Sequence, residues 1–257
     1  MQVEGFQRGD PIPVPELAVP VAVAEWFAAK ARDATSAEVA ATGDLGVVAF
    51  FYLLRVGEYT SSCTRGLRRT KQFRVRDVSF HRHGRIIDPA GDLEALLSAT
   101  GATLKLTNQK NGVRGSCVHH HAISNTDVCP VRALARRVHH VRSNGGTGDD
   151  MLCTFFDHRG KGVVKDRDVT RMVRVAAVDL KLAERGFPPH RVGSHSLRAG
   201  GAVALAVNGA SRDMIKKIGR WSSDTFLMYI HEQISHLTVG VAERMATPFP
   251  FTNIEGA

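Results

Sequence analysis

Residues 194–230 read SHSLRAGGAVALAVNGASRDMIKKIGRWSSDTFLMYI, and the rest of the chain is best understood outward from this stretch. It opens with Ser194-His195-Ser196-Leu197-Arg198. Trp221 follows Arg198 by 23 residues, and Tyr229 follows Trp221 by eight. Ser196–Val207 is rich in small residues and predicts a helix ended by Asn208-Gly209. Ser211 is placed to cap a helix over Arg212–Ile218, which Gly219 closes. A further helix is expected from Thr225 onward. Taken singly, His195 reads as a satisfied structural histidine, and Trp221 and Tyr229 as core aromatics. Their order within one phrase is what points to chemistry.

Moving toward the N-terminus, Asp168–Arg185 carries apolar residues at Val169, Met172, Val173, Ala176, Leu180 and Ala183, with Gly186 as a stop. Pro130 suits the first turn of a helix continuing over Val131–Val141. Ahead of it lies a strand-like zone. Phe73–Phe80 alternates, His83-Gly84-Arg85 reads as a turn, and Ile86-Ile87 as another strand. Leu104–Thr107 and Val113–Ile123 read as two strands joined at Lys110-Asn111-Gly112, since Asn-Gly favours a tight turn. Residues 36–56 predict a buried helix whose apolar positions fit a helical stripe imperfectly. It runs into Leu54-Arg55-Val56-Gly57-Glu58. Trp26–Ala31 predicts a short helix. Pro11, Pro13, Pro15 and Pro20 make the first 20 residues an extended arm. The expected class is α+β, mostly helical, with a small antiparallel sheet.

Hydrophobic residues make up 43% of the 257, enough for a real core, and no apolar run is long enough to cross a membrane. Met1–Asp10 lacks the basic-then-apolar order of a secretory signal. Cys63, Cys117, Cys129 and Cys153 form no C-x-x-C pair, so free thiols in a reducing, intracellular setting are expected, nuclear if the source is eukaryotic. The net charge of +9 is uneven: residues 1–50 carry −4 and the remainder +13. Such a body suits a polyanionic partner, although a solvated basic surface has the same composition.

Cleaving a phosphodiester without a metal places charge on two non-bridging oxygens. Guanidinium groups meet that charge with a rigid fork of donors, and two arginines from separate segments can clamp it. A tyrosine oxygen can attack and form a covalent phosphodiester. A lysine can protonate the leaving oxygen, and a histidine can bind the phosphate or take the tyrosine proton. The chain offers one candidate for each role: Arg55 and Arg198, Tyr229, Lys110 and His195.

The ordered set Arg55, Lys110, His195-x-x-Arg198, Trp221 and Tyr229 resembles the active site of the tyrosine recombinase, or phage-integrase, family across roughly residues 40–235. The resemblance makes Arg55 the first catalytic arginine, with Glu58 as the acidic residue that follows it. Lys110 takes the place of the hairpin lysine, and Trp221 that of the second His or Trp. Gly219-Arg220-Trp221-Ser222 stands where many bacterial members carry Leu-Gly-His-Ser, and the interval to Tyr229 is one residue shorter than theirs. The phrase from Gly219 to Ile230, with Ala242–Met245, resembles the Crypton and DIRS-like mobile elements. The resemblance implies a site-specific recombinase on double-stranded DNA, working through a 3′-phosphotyrosyl intermediate without cofactor or metal. It implies a tetramer on DNA, with a monomer as the form off it.

On this reading residues 1–35 are an arm, 36–235 the catalytic domain, and 236–257 a tail. Phe249, Phe251 and Ile254 could plug a neighbouring protomer. Arg65, Arg68, Arg69, Lys71, Arg114, Lys216 and Lys217 are candidate phosphate contacts, which position DNA without reading its sequence. Glu58 is balanced between orienting Arg55 or His195 and satisfying buried backbone. Lys105 rivals Lys110. His119-His120-His121 lies on a strand, where alternate side chains diverge, so a metal site is not expected. Two other functions stay open: strand relaxation of the type IB topoisomerase kind, and a non-catalytic DNA-binding domain from a mobile element. A helix-turn-helix over residues 197–220 leaves Arg55, Trp221 and Tyr229 without a role.

Overall fold

The computed structural model describes residues 16–61, 71–106, 115–124 and 128–229. Its elements begin with helices α1 (Val21–Arg32), α2 (Ala37–Phe51) and α3 (Val56–Tyr59). Strands β1 (Val78–Arg82) and β2 (Arg85–Ile87), helix α4 (Leu93–Leu97), and strands β3 (Gly101–Leu106) and β4 (Ser116–His121) follow. Helix α5 (Pro130–Ser143), strands β5 (Thr154–Asp157) and β6 (Gly160–Val163), and helices α6 (Asp166–Asp179), α7 (Ser194–Val207) and α8 (Arg212–Gly219) complete it. The described part is mostly helical with a small antiparallel sheet, as the sequence predicts.

Helix α2 is the axle. Residues 41–50 are buried without a break, which explains the blurred stripe: a helix enclosed on all sides has no polar face to alternate against. Ser36 caps it by accepting from the Val39 N–H, and α1, α5 and α7 pack around it. A β-carbon on Gly46 would lie 1.9 Å from the Phe27 ring, so a glycine there sets how closely α1 approaches. Asp44, buried within α2, accepts from Arg136 of α5 at 2.9 and 2.5 Å. A charge in the core is thereby paired, as it must be.

The sheet runs in the order β2-β1-β3-β4, all antiparallel. The β1–β2 turn is the expected one: His83 and Gly84 both take positive φ, 49° and 78°. Strands β3 and β4 pair antiparallel, the expected turn at Lys110-Asn111-Gly112 lying outside the described residues, and Leu104, Leu106 and Val118 face the core. Two expectations shift. The alternating run from Phe73 becomes a strand only at Val78, because Asp77 folds back to accept from the Arg74 N–H and winds residues 75–77 into a 3-10 turn. The helix expected over Asp168–Arg185 stops at Asp179, where Lys181 takes a left-handed φ of 50°, and resumes as a 3-10 turn over Leu182–Arg185. Helix α1 is also longer than the expected Trp26–Ala31, and its Val23, Ala24, Phe27 and Ala28 belong to the core.

Candidate active site

The site forms where α2 ends, α3 begins, and α7 and the end of α8 converge. Leu53, just past α2, is fully buried yet takes a left-handed φ of 49°. That conformation costs a non-glycine residue on the order of 1–2 kcal/mol. It sends the chain directly into Arg55 and aims two carbonyls at the site. The Leu53 carbonyl accepts from Arg198 Nη1 at 2.6 Å and from Arg220 Nη2 at 3.1 Å, and the Tyr52 carbonyl accepts from Arg220 Nη1 at 3.1 Å.

Arg55 opens α3, and Glu58 folds back to accept from its backbone N–H at 2.8 Å. The same carboxylate meets the Arg55 guanidinium at 3.4 Å and Arg220 Nη2 at 2.8 Å. Glu58 thus bonds to backbone and to two guanidiniums. The arginine it holds more closely is Arg220. Tyr59 ties this helix to the next, its hydroxyl donating to the Ser194 carbonyl at the start of α7.

Helix α7 presents His195 and Arg198 on successive turns. Arg198 is 2% exposed. Its guanidinium donates to the Leu53 and Gly219 carbonyls and lies 4.2 Å from the centre of the Trp221 ring. Stacking and carbonyl contacts both favour a planar cation over a flexible ammonium. Burial, then the guanidiniums of Arg220 and Arg55, push its pKa down to about 9, which still leaves it charged at neutral pH. A β-carbon on Gly219 would fall 1.6 Å from the Trp221 ring, so only glycine lets the indole fold back over Arg198.

Tyr229 stands on the helical turn after Asp224–Phe226, and its hydroxyl lies 2.7 Å from His195 Nε2. Burial, and then the positive charges of Arg198 and Arg55, lower the His195 pKa below 6.5. Neutral imidazole in hydrogen-bond contact with a phenol is arranged to accept its proton. Three guanidiniums, from Arg55, Arg198 and Arg220, surround the single carboxylate of Glu58. The pocket holds an excess of positive charge that an anion would neutralise.

No family model matches the chain, and no curated protein does. Solved structures do. XerH site-specific recombinase bound to palindromic difH substrate, a post-cleavage complex, superposes with a TM-score of 0.56 at 15% identity, covering 95% of this chain and 56% of that one. The pre-cleavage complex of XerH with difH gives a TM-score of 0.53 at 14% identity, covering 91% and 56%. The fold is that of a tyrosine recombinase catalytic domain. The chain spans little more than half the length of each XerH chain.

The recombinase fold gathers Arg55, Glu58, His195, Arg198, Trp221 and Tyr229 into this one pocket. Lys110 lies outside the described residues, as do Arg65, Arg68, Arg69, Arg114 and the segment from 236 onward. The rival Lys105 is exposed on β3, where its charge acts on Asp77. Lys71 and Lys217 are exposed, whereas Lys216 is paired with Asp224 at 3.1 Å. Sequence reading missed Arg220. Its signal was an arginine in place of the glycine common before the second His or Trp, and it adopts a φ of 57° that glycine would take freely. Among the described residues, no group of three or more His, Cys, Asp or Glu side chains is placed to hold a metal, and no helix is long and apolar enough to cross a membrane.

Proposed function

We propose that this domain cuts and rejoins strands of double-stranded DNA, with Tyr229 as the nucleophile. The observation that carries the reading is the His195–Tyr229 contact beside a pocket where three guanidiniums outnumber one carboxylate. A scissile phosphate is the anion that such a pocket suits, and a phenol poised on a neutral imidazole is the group to attack it. That the XerH structures are of a site-specific recombinase on its difH substrate, before and after cleavage, supports the same reading.

In this scheme Arg55 and Arg198 hold the non-bridging oxygens while Tyr229 attacks the phosphorus in line. His195 takes the phenolic proton, and Trp221 keeps the Arg198 guanidinium in its plane. Lys110 gives a proton to the departing 5′ oxygen. The bond broken is the 5′ phosphoester and the bond formed is a 3′-phosphotyrosyl ester. A 5′-hydroxyl from another strand then reverses the exchange, so the scheme calls for no cofactor or metal. The assembly proposed is a homo-tetramer on DNA, monomeric off it, and the likeness of Gly219–Ile230 to the Crypton and DIRS-like phrase supports kinship with those mobile elements. Residues 36–235 are the proposed catalytic domain, packed against α1, and the exposed Lys71 and Lys217 within it are candidate phosphate contacts.

Covalent trapping tests the reading. The protein is mixed with duplexes nicked next to the candidate phosphate, so that the released piece diffuses away. A denaturation-resistant adduct lost in Tyr229→Phe is the expected result. A folded, DNA-binding protein that forms none on any substrate overturns the reading in favour of a binding module. Relaxation of supercoiled DNA by a monomer instead points to a topoisomerase.

A further inference from the structure

Helix α7 carries both His195 and Arg198, yet its own N-cap is Gly193, which has no side chain to offer the free N–H groups of the first turn. Those donors are met from far away in sequence. Glu16 Oε2 accepts from the His195 N–H at 3.0 Å and the Ser196 N–H at 3.2 Å, and lies 3.4 Å from the Ser196 hydroxyl. The Ser196 hydroxyl in turn accepts from the Gly193 N–H at 3.0 Å.

The approach is built, not incidental. A β-carbon on Gly193 would lie 2.3 Å from the Glu16 carboxylate, and one on Gly200 would lie 2.2 Å from the Val19 carbonyl oxygen. Two glycines of the α7 region thus clear a track for residues 16–19. Along that track the Leu17 N–H donates to the Arg191 carbonyl at 2.8 Å and the Val19 N–H to the Ser196 carbonyl at 3.3 Å. A carboxylate at a helix N-terminus also opposes the positive end of the helix dipole.

We infer that Glu16 is a positioning residue for strand cleavage: it locks the first turn of α7, and with it the His195 imidazole, against Tyr229. Because Glu16 lies in the segment leading into α1, anything that draws that segment away uncaps the helix and uncouples the proton acceptor from the nucleophile. The segment entering α1 is thereby a control point for the site. This inference rests on the strand-transfer reading above.

The test uses the full chain, with Glu16→Ala and Glu16→Gln, and follows adduct formation on the nicked duplex as DNA concentration and pH are varied. Glu16→Ala is expected to lower the maximal rate roughly tenfold, as loss of positioning does, while the half-saturating DNA concentration stays within about twofold. Glu16→Gln, which still accepts hydrogen bonds, restores most of the rate. A wild-type maximal rate in Glu16→Ala overturns the inference. So does a half-saturating concentration that rises in step with the loss, since that marks general damage. If Glu16→Ala does not fold, Glu16→Gln carries the comparison through its pH profile, whose acid limb is expected to move. If the unaltered protein forms no adduct, the strand-transfer reading fails by itself. The role of Glu16 is then read from the His195 NMR titration, whose midpoint is expected to fall when the carboxylate is removed. An unmoved midpoint overturns it.

Discussion

The carboxylate of Glu58 faces two guanidiniums at once, and the balance between them sets how much of Arg55 is left for a ligand. Arg220 makes the shorter contact, 2.8 Å against 3.4 Å, so it takes up most of the negative charge and leaves Arg55 one-fifth exposed toward the pocket. Replacing Arg220 with glycine relieves a left-handed φ but removes that counterion. Arg55 then becomes the partner of Glu58, and adduct formation is expected to fall by roughly tenfold or more, as when a preorganised donor is lost. Glu58→Gln leaves buried guanidiniums without a carboxylate and is expected to cost about 3–5 kcal/mol in chemical denaturation. His195 makes a pH prediction. Only its neutral form takes a proton, and its pKa lies below 6.5, so the rate of adduct formation is full at neutral pH. The rate is lost as pH falls through that lowered value, placing the acid limb below pH 6.5. Residue type and order singled out Arg55, His195, Arg198 and Tyr229, and the fold brings these four together. Arg220 and Glu16 stayed hidden because their roles come from a backbone conformation and a distant docking, which spacing alone does not encode.

At the scale of elements, the turn between α8 and Tyr229 is tightly constrained. Gly219 ends α8, Arg220 turns left-handed, and Trp221 folds back until its ring would collide with any side chain on Gly219. Gly219→Ala is expected to destabilise the domain by about 1–3 kcal/mol through overpacking. It should also lift the indole off Arg198, which a change in tryptophan fluorescence together with a slower adduct rate would report. Element types were legible wherever capping residues marked them: Ser211 accepts from the Met214 N–H as its position implies, and Pro130 opens α5. Boundaries failed where a side chain turned back on its own backbone, as Asp77 does ahead of β1. Burial on every side hid the periodicity of α2 but not its existence.

For the molecule as a whole, the core joins sheet to helices through groups that dislike acid. His120 of β4 stacks edge-on against Tyr52 at 4.5 Å, and His140 of α5 accepts from the Phe156 N–H at 3.0 Å. Burial lowers both to about 4, so each is neutral in the fold and protonates more readily in the unfolded chain. The unfolded state therefore binds more protons between the ordinary histidine value and about 4, and stability is full above that ordinary value and declines as pH falls toward 4. For the more buried His120 the loss is on the order of 2–3 kcal/mol. His120→Phe should flatten the fall in melting temperature over that window.

The bond between Arg55 and the Arg220 carbonyl spans 165 positions, and that between His195 and Tyr229 spans 34. Ribosomes deliver the N-terminal part first. A growing chain thus presents Arg55 and Glu58 long before Arg198, Arg220 and Tyr229 exist to join them. On the strand-transfer proposal, no chain ending before Tyr229 carries the proposed nucleophile, so cleavage would await the synthesis of nearly all of the described residues.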